Sequence, residues 1–197
     1  MLDGVLEIKS VMTLLCSVMW QPFNEPGLEL CHLSQPYRWH IEGTVLTGFE
    51  GVPARVIYGV TCSTLWHTED VWIRLEMNAE EREMHLSRRR THWNVNRERR
   101  EDLAGFMDID LGVTPATNTL PIRRLNLSIG ESREVTAAWV RFPSLTVEPL
   151  VQTYTRLGEF EYRYASPNFE TRVLVDDLGL VVEYEKGWRR VASSGKA

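Results

Sequence analysis

The sequence predicts a mainly β protein in which a large curled antiparallel sheet wraps around a single short helix. Three observations carry that expectation. Apolar and polar residues alternate with period two from Leu28 almost to the end of the chain, and turn residues interrupt the alternation at short intervals. One stretch, LGVTPATNTLPIRRLNLSIG (residues 111–130), breaks the alternation with prolines, threonines and an arginine pair among leucines. A chain of 197 residues, 43% hydrophobic and without a low-complexity spacer, suits one domain with one core.

The chain opens with VMTLLCSVMW (residues 11–20), an apolar run as long as the core of a signal peptide. Asp3 and Glu7 precede it, no small-residue cleavage site follows, and it is far too short to span a bilayer. Residues 1–18 are expected as an N-terminal extension, either an extra strand or a poorly ordered segment. The domain is expected over residues 19–191, with residues 192–197 as a tail. Cys16, Cys31 and Cys62 share no paired spacing and leave an odd thiol, which suits buried apolar side chains in a reducing cytoplasm.

Strands follow in order. In YRWHIEGTVL, Trp39, Ile41 and Val45 point one way while His40, Glu42 and Thr44 point the other. ARVIYGVTC places Val56, Tyr58, Val60 and Cys62 on one face, and DVWIRLEM does the same with Val71, Ile73, Leu75 and Met77. Met84 and Leu86, then Trp93 and Val95, continue the series. After the break, strands resume through REVTAAWVRF, LTVEPLVQTYTRL, EFEYRYA, FETRVLV and LVVEYEKGWRRV, with Phe160, Tyr162 and Tyr164 as an aromatic row and DDLG (residues 176–179) as a hairpin turn. Roughly a dozen or more strands with almost no helix favour one large curled sheet or barrel over a small sandwich.

Within the break, Thr119 suits an N-cap and Pro121 falls in the first turn, where its missing N–H costs nothing, so a helix is expected over about residues 120–127. Ile122, Leu125 and Ile129 then gather on one side, with Leu120 and Leu127 nearly opposite. A helix apolar on two sides is buried on two sides, so the sheet should curl around it. The competing reading is a surface loop that carries a catalytic arginine pair.

Several residues qualify for chemistry. Asp108 and Asp110 alternate on one strand face, a spacing that serves a solvated face or the cap of a neighbouring helix, or else a metal ligand pair or an acid and base. Arg123 and Arg124 sit beside the Leu120 face. At least one is expected to meet a carboxylate of Asp108, Asp110 or Glu148, or to await an anionic headgroup. Arg141 and Arg156 admit the same two readings, and Trp139 and Tyr154 serve either as core or as stacking platforms. The formal net charge of -5 argues against a general binder of nucleic acid or anionic membranes and leaves room only for a local basic patch. RRRTHWNVNRERR (residues 88–100) is such a patch, but Glu98, Glu101 and Asp102 dilute it, and its alternation fits a solvent-facing hairpin. The five histidines are scattered singly, and no nucleophile elbow, metal-ligand spacing or cofactor motif is present.

FMDIDLGVTPATNTLPIRRLNL (residues 106–127) and AAWVRFPSLTVEPLVQTYTRL (residues 137–157) closely resemble the putative glycolipid-binding family of bacteria. MWQPFNEPGLEL, EFEYRYASPNF and the terminal GWRRV extend the resemblance over about residues 19–191. It implies a spiral β-roll that forms dimers, similar in fold to lipoprotein-localisation factors that carry acyl chains. The arginine-rich segment departs from the family pattern, where an ordinary hairpin turn with Gly is expected. Together these readings give a non-catalytic carrier or sensor that holds a glycolipid or other amphipathic ligand between sheet and helix. Asn118, Arg123, Arg124, Trp139, Arg141, Tyr154 and Arg156 are the expected ligand-binding residues. No metal, no cofactor, no membrane span and no nucleic acid is expected. The alternatives are a dimeric protein-interaction module with a self-filled core, and a lipid- or sugar-processing enzyme using Asp108, Asp110 and Glu148.

Overall fold

The computed structural model describes residues 13–35 and 37–195, and among them fifteen strands form a single sheet around one short helix. The first half is a meander of β1 (Thr13–Pro22), β2 (Gly27–Gln35), β3 (Trp39–Phe49), β4 (Val52–Cys62), β5 (Thr68–Met77), β6 (Glu80–Arg89), β7 (His92–Val95) and β8 (Glu98–Arg100). A 3-10 turn (Glu101–Leu103), β9 (Asp108–Leu111), a second 3-10 turn (Ala116–Asn118) and helix α1 (Thr119–Leu125) follow. The second half is another meander of β10 (Ser132–Arg141), β11 (Thr146–Arg156), β12 (Glu161–Ser166), β13 (Phe169–Val175), β14 (Val181–Tyr184) and β15 (Trp188–Gly195). β15 pairs with β1 and joins the halves, so the sheet runs from β8 through β1 and β15 to β9. Every pairing is antiparallel except that of β9 with β10.

The alternation read in the sequence sets which face is inward. Val56, Tyr58, Val60 and Cys62 of β4 and Val71, Ile73 and Leu75 of β5 are all buried. α1 is buried on both sides, through Leu120 and Ile122, with Leu127 just beyond its end. A helix of seven residues is marginal by itself and is held by this packing. Trp20, Ile41, Val56, Tyr58, Ala116 and Leu120, none with any exposed surface, belong to one continuous core of sheet and helix.

An open sheet has two edges with unpaired backbone groups, and the roll closes by satisfying them. At the β9 edge, the Ile109 N–H donates to Thr68 Oγ1 and the Leu111 N–H to Thr117 Oγ1, both at 3.2 Å. The Thr68 N–H donates to the Met107 carbonyl at 3.0 Å, so the last strand of the sheet order rests on the start of β5. Near the other edge, Arg100 of β8 donates to the Val147 carbonyl of β11 at 2.9 Å. Asp108 of β9 receives a two-pronged hydrogen bond from Arg124, which fastens α1 to the same strand.

The structure corrects several expectations. The helix covers Thr119–Leu125, and Thr119 is not its cap: the 3-10 turn runs directly into it, so Asn118 precedes it with helical backbone and the Thr119 hydroxyl donates to the Gly179 carbonyl. Ile129 lies past the left-handed Asn126 that ends the helix and is 64% exposed. Phe160 is exposed because it precedes β12, whereas Tyr162 and Tyr164 within the strand are buried. The boundaries expected at 18 and 191 fall inside β1 and β15, because backbone pairing between Cys16–Met19 and Ala192–Gly195 continues past the apolar pattern. Residues 1–12 of the expected extension and the last two residues of the expected tail lie outside the described residues. The arginine-rich segment forms two tight hairpins, with Arg90, Asn96 and Arg97 at positive φ where glycines are usual. No helix among the described residues is long and apolar enough to cross a membrane.

Thr68→Val leaves the buried Ile109 N–H without its acceptor and should cost about 1–3 kcal/mol in urea unfolding, whereas Thr68→Ser should cost less. Arg124→Met leaves Asp108, 1% exposed, without a counter-charge and should destabilise by about 3–5 kcal/mol; an unchanged unfolding midpoint would show that the pair does not anchor the helix.

Candidate functional site

Because Thr117 and Asp108 hold the chain on both sides of it, the segment between β9 and α1 lies inside the mouth of the roll. Thr114 reaches inward. Its hydroxyl donates to Glu29 Oε1 at 2.7 Å and accepts the Ala116 N–H at 3.0 Å. Tyr58 donates to the same Glu29 oxygen at 2.5 Å, and Glu29 Oε2 is buried without a partner. The Tyr58 ring crosses directly over Gly43 on the neighbouring strand, where any Cβ would lie 2.4 Å from the ring, so glycine is required there. Burial pushes Glu29 up to about 8, against the opposing hydrogen bonds from Tyr58 and Thr114, so the side chain is chiefly a neutral acid at pH 7.

The outer side of this segment forms one wall of an open cleft of about 520 Å³. Asp110, Thr114, Pro115 and Asn118 line that side, and Trp139, Tyr164, Phe169, Tyr184 and Trp188 supply aromatic surface. The rings brace one another: Phe169 and Tyr184 stack at 5.9 Å, and Tyr164 meets Tyr154 edge-on at 5.3 Å. Gln152 Nε2 donates to Asp110 Oδ2 at 2.5 Å, and the Tyr154 hydroxyl donates to Asn118 Oδ1 at 2.9 Å. Burial raises Asp110 to about 6, with the Gln152 bond opposing, so it is mainly ionised at neutral pH. Burial likewise raises the phenols of Tyr154, Tyr164 and Tyr184, which keeps them protonated as donors. A floor carboxylate, an amide and aromatic faces form a surface for a ligand that carries both hydroxyl groups and apolar C–H faces.

The residues singled out in the sequence divide into three groups. Asp110, Asn118 and Trp139 line the cleft, and Tyr154 holds Asn118 from behind. Asp108 and Arg124 pair with each other, and Arg141 lies 5.2 Å over the Trp139 ring while bonding Glu148 at the surface. Arg123 and Arg156 stand elsewhere, in a smaller hollow near Asp177, where Arg156 donates to the carbonyls of Leu127, Gly158 and Glu159 and Arg123 to that of Asp177. Asp108, Asp110 and Glu148 therefore have separate partners and form no carboxylate pair. Among the described residues, no group of three or more His, Cys, Asp and Glu is placed to hold a metal ion.

Sequence reasoning missed Glu29, Gln152 and the half-buried Arg190–Asp176 pair. A signal for Glu29 was present: it is in phase with Cys31 and Leu33 on the inward face of β2, an unusual place for a carboxyl group. The raised Glu29 pKa means that the folded state keeps a proton that the unfolded chain releases above about 4.5. Its contribution is full below that pH and is lost as pH rises through about 8. Relative to Glu29→Gln, the wild type should lose about 1.4 kcal/mol of stability per pH unit across that window, read from urea midpoints. Parallel pH profiles would show that Glu29 is ionised in the fold.

With the geometry described, the chain can be compared with known proteins. A structure of a DUF1089 family protein from Pseudomonas aeruginosa is similar to it at a TM-score of 0.78, with 29% identity, covering 87% of this chain and 95% of that one. No curated protein matches the sequence significantly. The family described as "Putative glycolipid-binding" matches residues 17–190, from within β1 to within β15, and takes in every residue of the cleft. The chain belongs to that family.

Proposed function

We propose that the protein binds, without transforming, the hydroxylated head of a glycolipid or related amphipathic molecule in the aromatic cleft. The observation that carries this reading is the Asp110 carboxylate in a cleft bordered by Trp139, Tyr164, Phe169, Tyr184 and Trp188. A sugar ring offers C–H faces to aromatic rings and hydroxyls to a carboxylate, and this arrangement meets both needs. The family description favours the same ligand class. The side chains that fill the interior between sheet and helix favour the open cleft over the enclosed space as the binding place. An acyl chain leaving the cleft would gain about 0.8 kcal/mol per buried CH₂ wherever it meets apolar surface. Separate partners for Asp108, Asp110 and Glu148 speak against acid–base catalysis by a carboxylate pair.

Ligand hydroxyls donate to ionised Asp110, so affinity should be full above about pH 6 and fall as the carboxylate protonates below it. Organic extraction of the protein followed by mass spectrometry, and titration with a panel of glycosides and glycolipids, provide the test. Asp110→Asn and Trp139→Ala should each weaken binding about tenfold or more, in line with the loss of a charge-assisted bond or a stacking surface. Saturable binding that both variants retain in full, or its absence across the panel and the extract, would overturn the proposal.

A further inference from the structure

A second cleft, of about 400 Å³, opens between the start of β3, the β4–β5 turn and the β6–β7 turn. Arg38, Ser63, His67, Arg88, Arg89 and Arg90 line it, with Glu69 and Asp70 as the acids. These acids are already engaged. Glu69 pairs with Arg38 at 2.6 Å, and Asp70 meets His85 at 3.0 Å and Arg89 only at 4.0 Å. Arg88 is half-buried and donates through Nε to the Phe106 carbonyl at 2.7 Å, not to a carboxylate. Asp108 is the acid that acts most strongly on it, and Arg124 occupies both oxygens of that carboxylate.

Among the lining residues Arg38, Arg88, Arg89 and Arg90 outnumber Glu69 and Asp70, so the cleft carries an excess of positive charge. Burial is the first cause of two lowered pKa values beside the cleft. Burial and then Arg88 and Arg124 lower His67, while burial, partly offset by Asp108, lowers Arg88, with Arg124 adding to the decrease. Ser63 supplies a donor. Its Oγ accepts the N–H groups of Leu65 and His67, both at 3.3 Å, which leaves its own proton free for a ligand. The turn that presents it is closed by Ser63 N–H to the His67 carbonyl at 2.9 Å and Trp66 N–H to the Ser63 carbonyl at 3.0 Å. Trp66 is stacked on Trp39 with ring centroids 4.2 Å apart, which fixes the turn further.

We propose that this cleft is a phosphoryl-binding site, in which the guanidiniums of Arg88, Arg89 and Arg90 and the Ser63 hydroxyl hold one phosphate group. Several planar donors lining one cleft suit the several acceptor oxygens of a phosphate better than a single carboxylate does. The volume leaves room for whatever the phosphate is attached to, either a lipid headgroup or a small soluble ester. The site shares no residue with the aromatic cleft, so its test is independent of the glycolipid reading.

Calorimetric titration with inorganic phosphate, against chloride at matched ionic strength, should give saturable binding. Arg88→Gln should weaken it about tenfold or more, as expected for the loss of a charge-assisted hydrogen bond. Arg89→Gln/Arg90→Gln, at exposed positions, and Ser63→Ala should weaken it too, and they carry the test if Arg88→Gln does not fold. Arg172→Gln on distant β13 and Asp110→Asn should bind phosphate as the wild type does. Phosphatidylcholine vesicles with and without phosphatidic acid distinguish the sources. Phosphate-competed binding to the acidic vesicles identifies a lipid phosphate, and phosphate binding without vesicle binding identifies a soluble ester. Heats no larger than those of chloride, or phosphate binding unchanged in both the double variant and Ser63→Ala, would overturn the proposal. So would binding of a single-stranded oligonucleotide that saturating phosphate does not diminish, since the basic cleft would then serve a polymer rather than one phosphoryl group.

Discussion

The outer edge of β9 is the constraint on which the rest of the molecule depends. A sheet of this width that does not close on its own hydrogen bonds must cover its last N–H groups or leave them as a template for another strand. Here the Ile109 and Leu111 N–H groups end on the hydroxyls of Thr68 and Thr117, one from the opposite part of the sheet and one from the turn before the helix. The first contact curls the sheet into a roll. The second draws residues 111–119 into its mouth, and so sets Thr114 against Glu29 and Tyr58 on one side and Asn118 beside Asp110 on the other.

Three carboxyl groups within this small region meet three different sets of neighbours. Asp108 accepts a two-pronged hydrogen bond from an arginine and serves as an anchor for the helix. Glu29, enclosed by Tyr58 and Thr114 with one oxygen unpartnered, keeps its proton and acts as a hydrogen-bonding hub. Asp110 lies between these extremes, with an amide as its partner and a cleft in front of it. A group so poised is the one that a ligand can perturb, because neither a permanent counter-charge nor complete burial already decides its state.

Arg124 connects this region with the basic cleft. By taking both oxygens of Asp108 it fastens the helix to β9, while Arg88 donates to the Phe106 carbonyl instead. The surface ion pairs Arg55–Glu76 and Arg74–Glu83 are worth little individually.

The fold was legible because a half-buried strand carries its orientation in its own alternation: the phase of Val56, Tyr58, Val60 and Cys62 fixes the inward face without reference to any partner. The helix was legible for a similar reason, since Leu120 and Ile122 occupy opposite sides and both are buried, although its cap was not, because a 3-10 turn runs directly into it and gives Asn118 helical backbone. The local features of Asp110, Asn118, Trp139 and Tyr154 marked them as candidates, yet nothing in their spacing showed that these would meet while Arg123 and Arg156 would stand apart. Strand order in a rolled sheet brings together residues far apart in the chain, such as Thr68 with Ile109 and Glu29 with Thr114. The sequence alone determined the strands, their inward faces and the one buried helix, all properties of short-range periodicity. Only the tertiary structure decided which acids are paired, neutral or poised and where the clefts open, because those outcomes depend on contacts across the roll that no local pattern encodes.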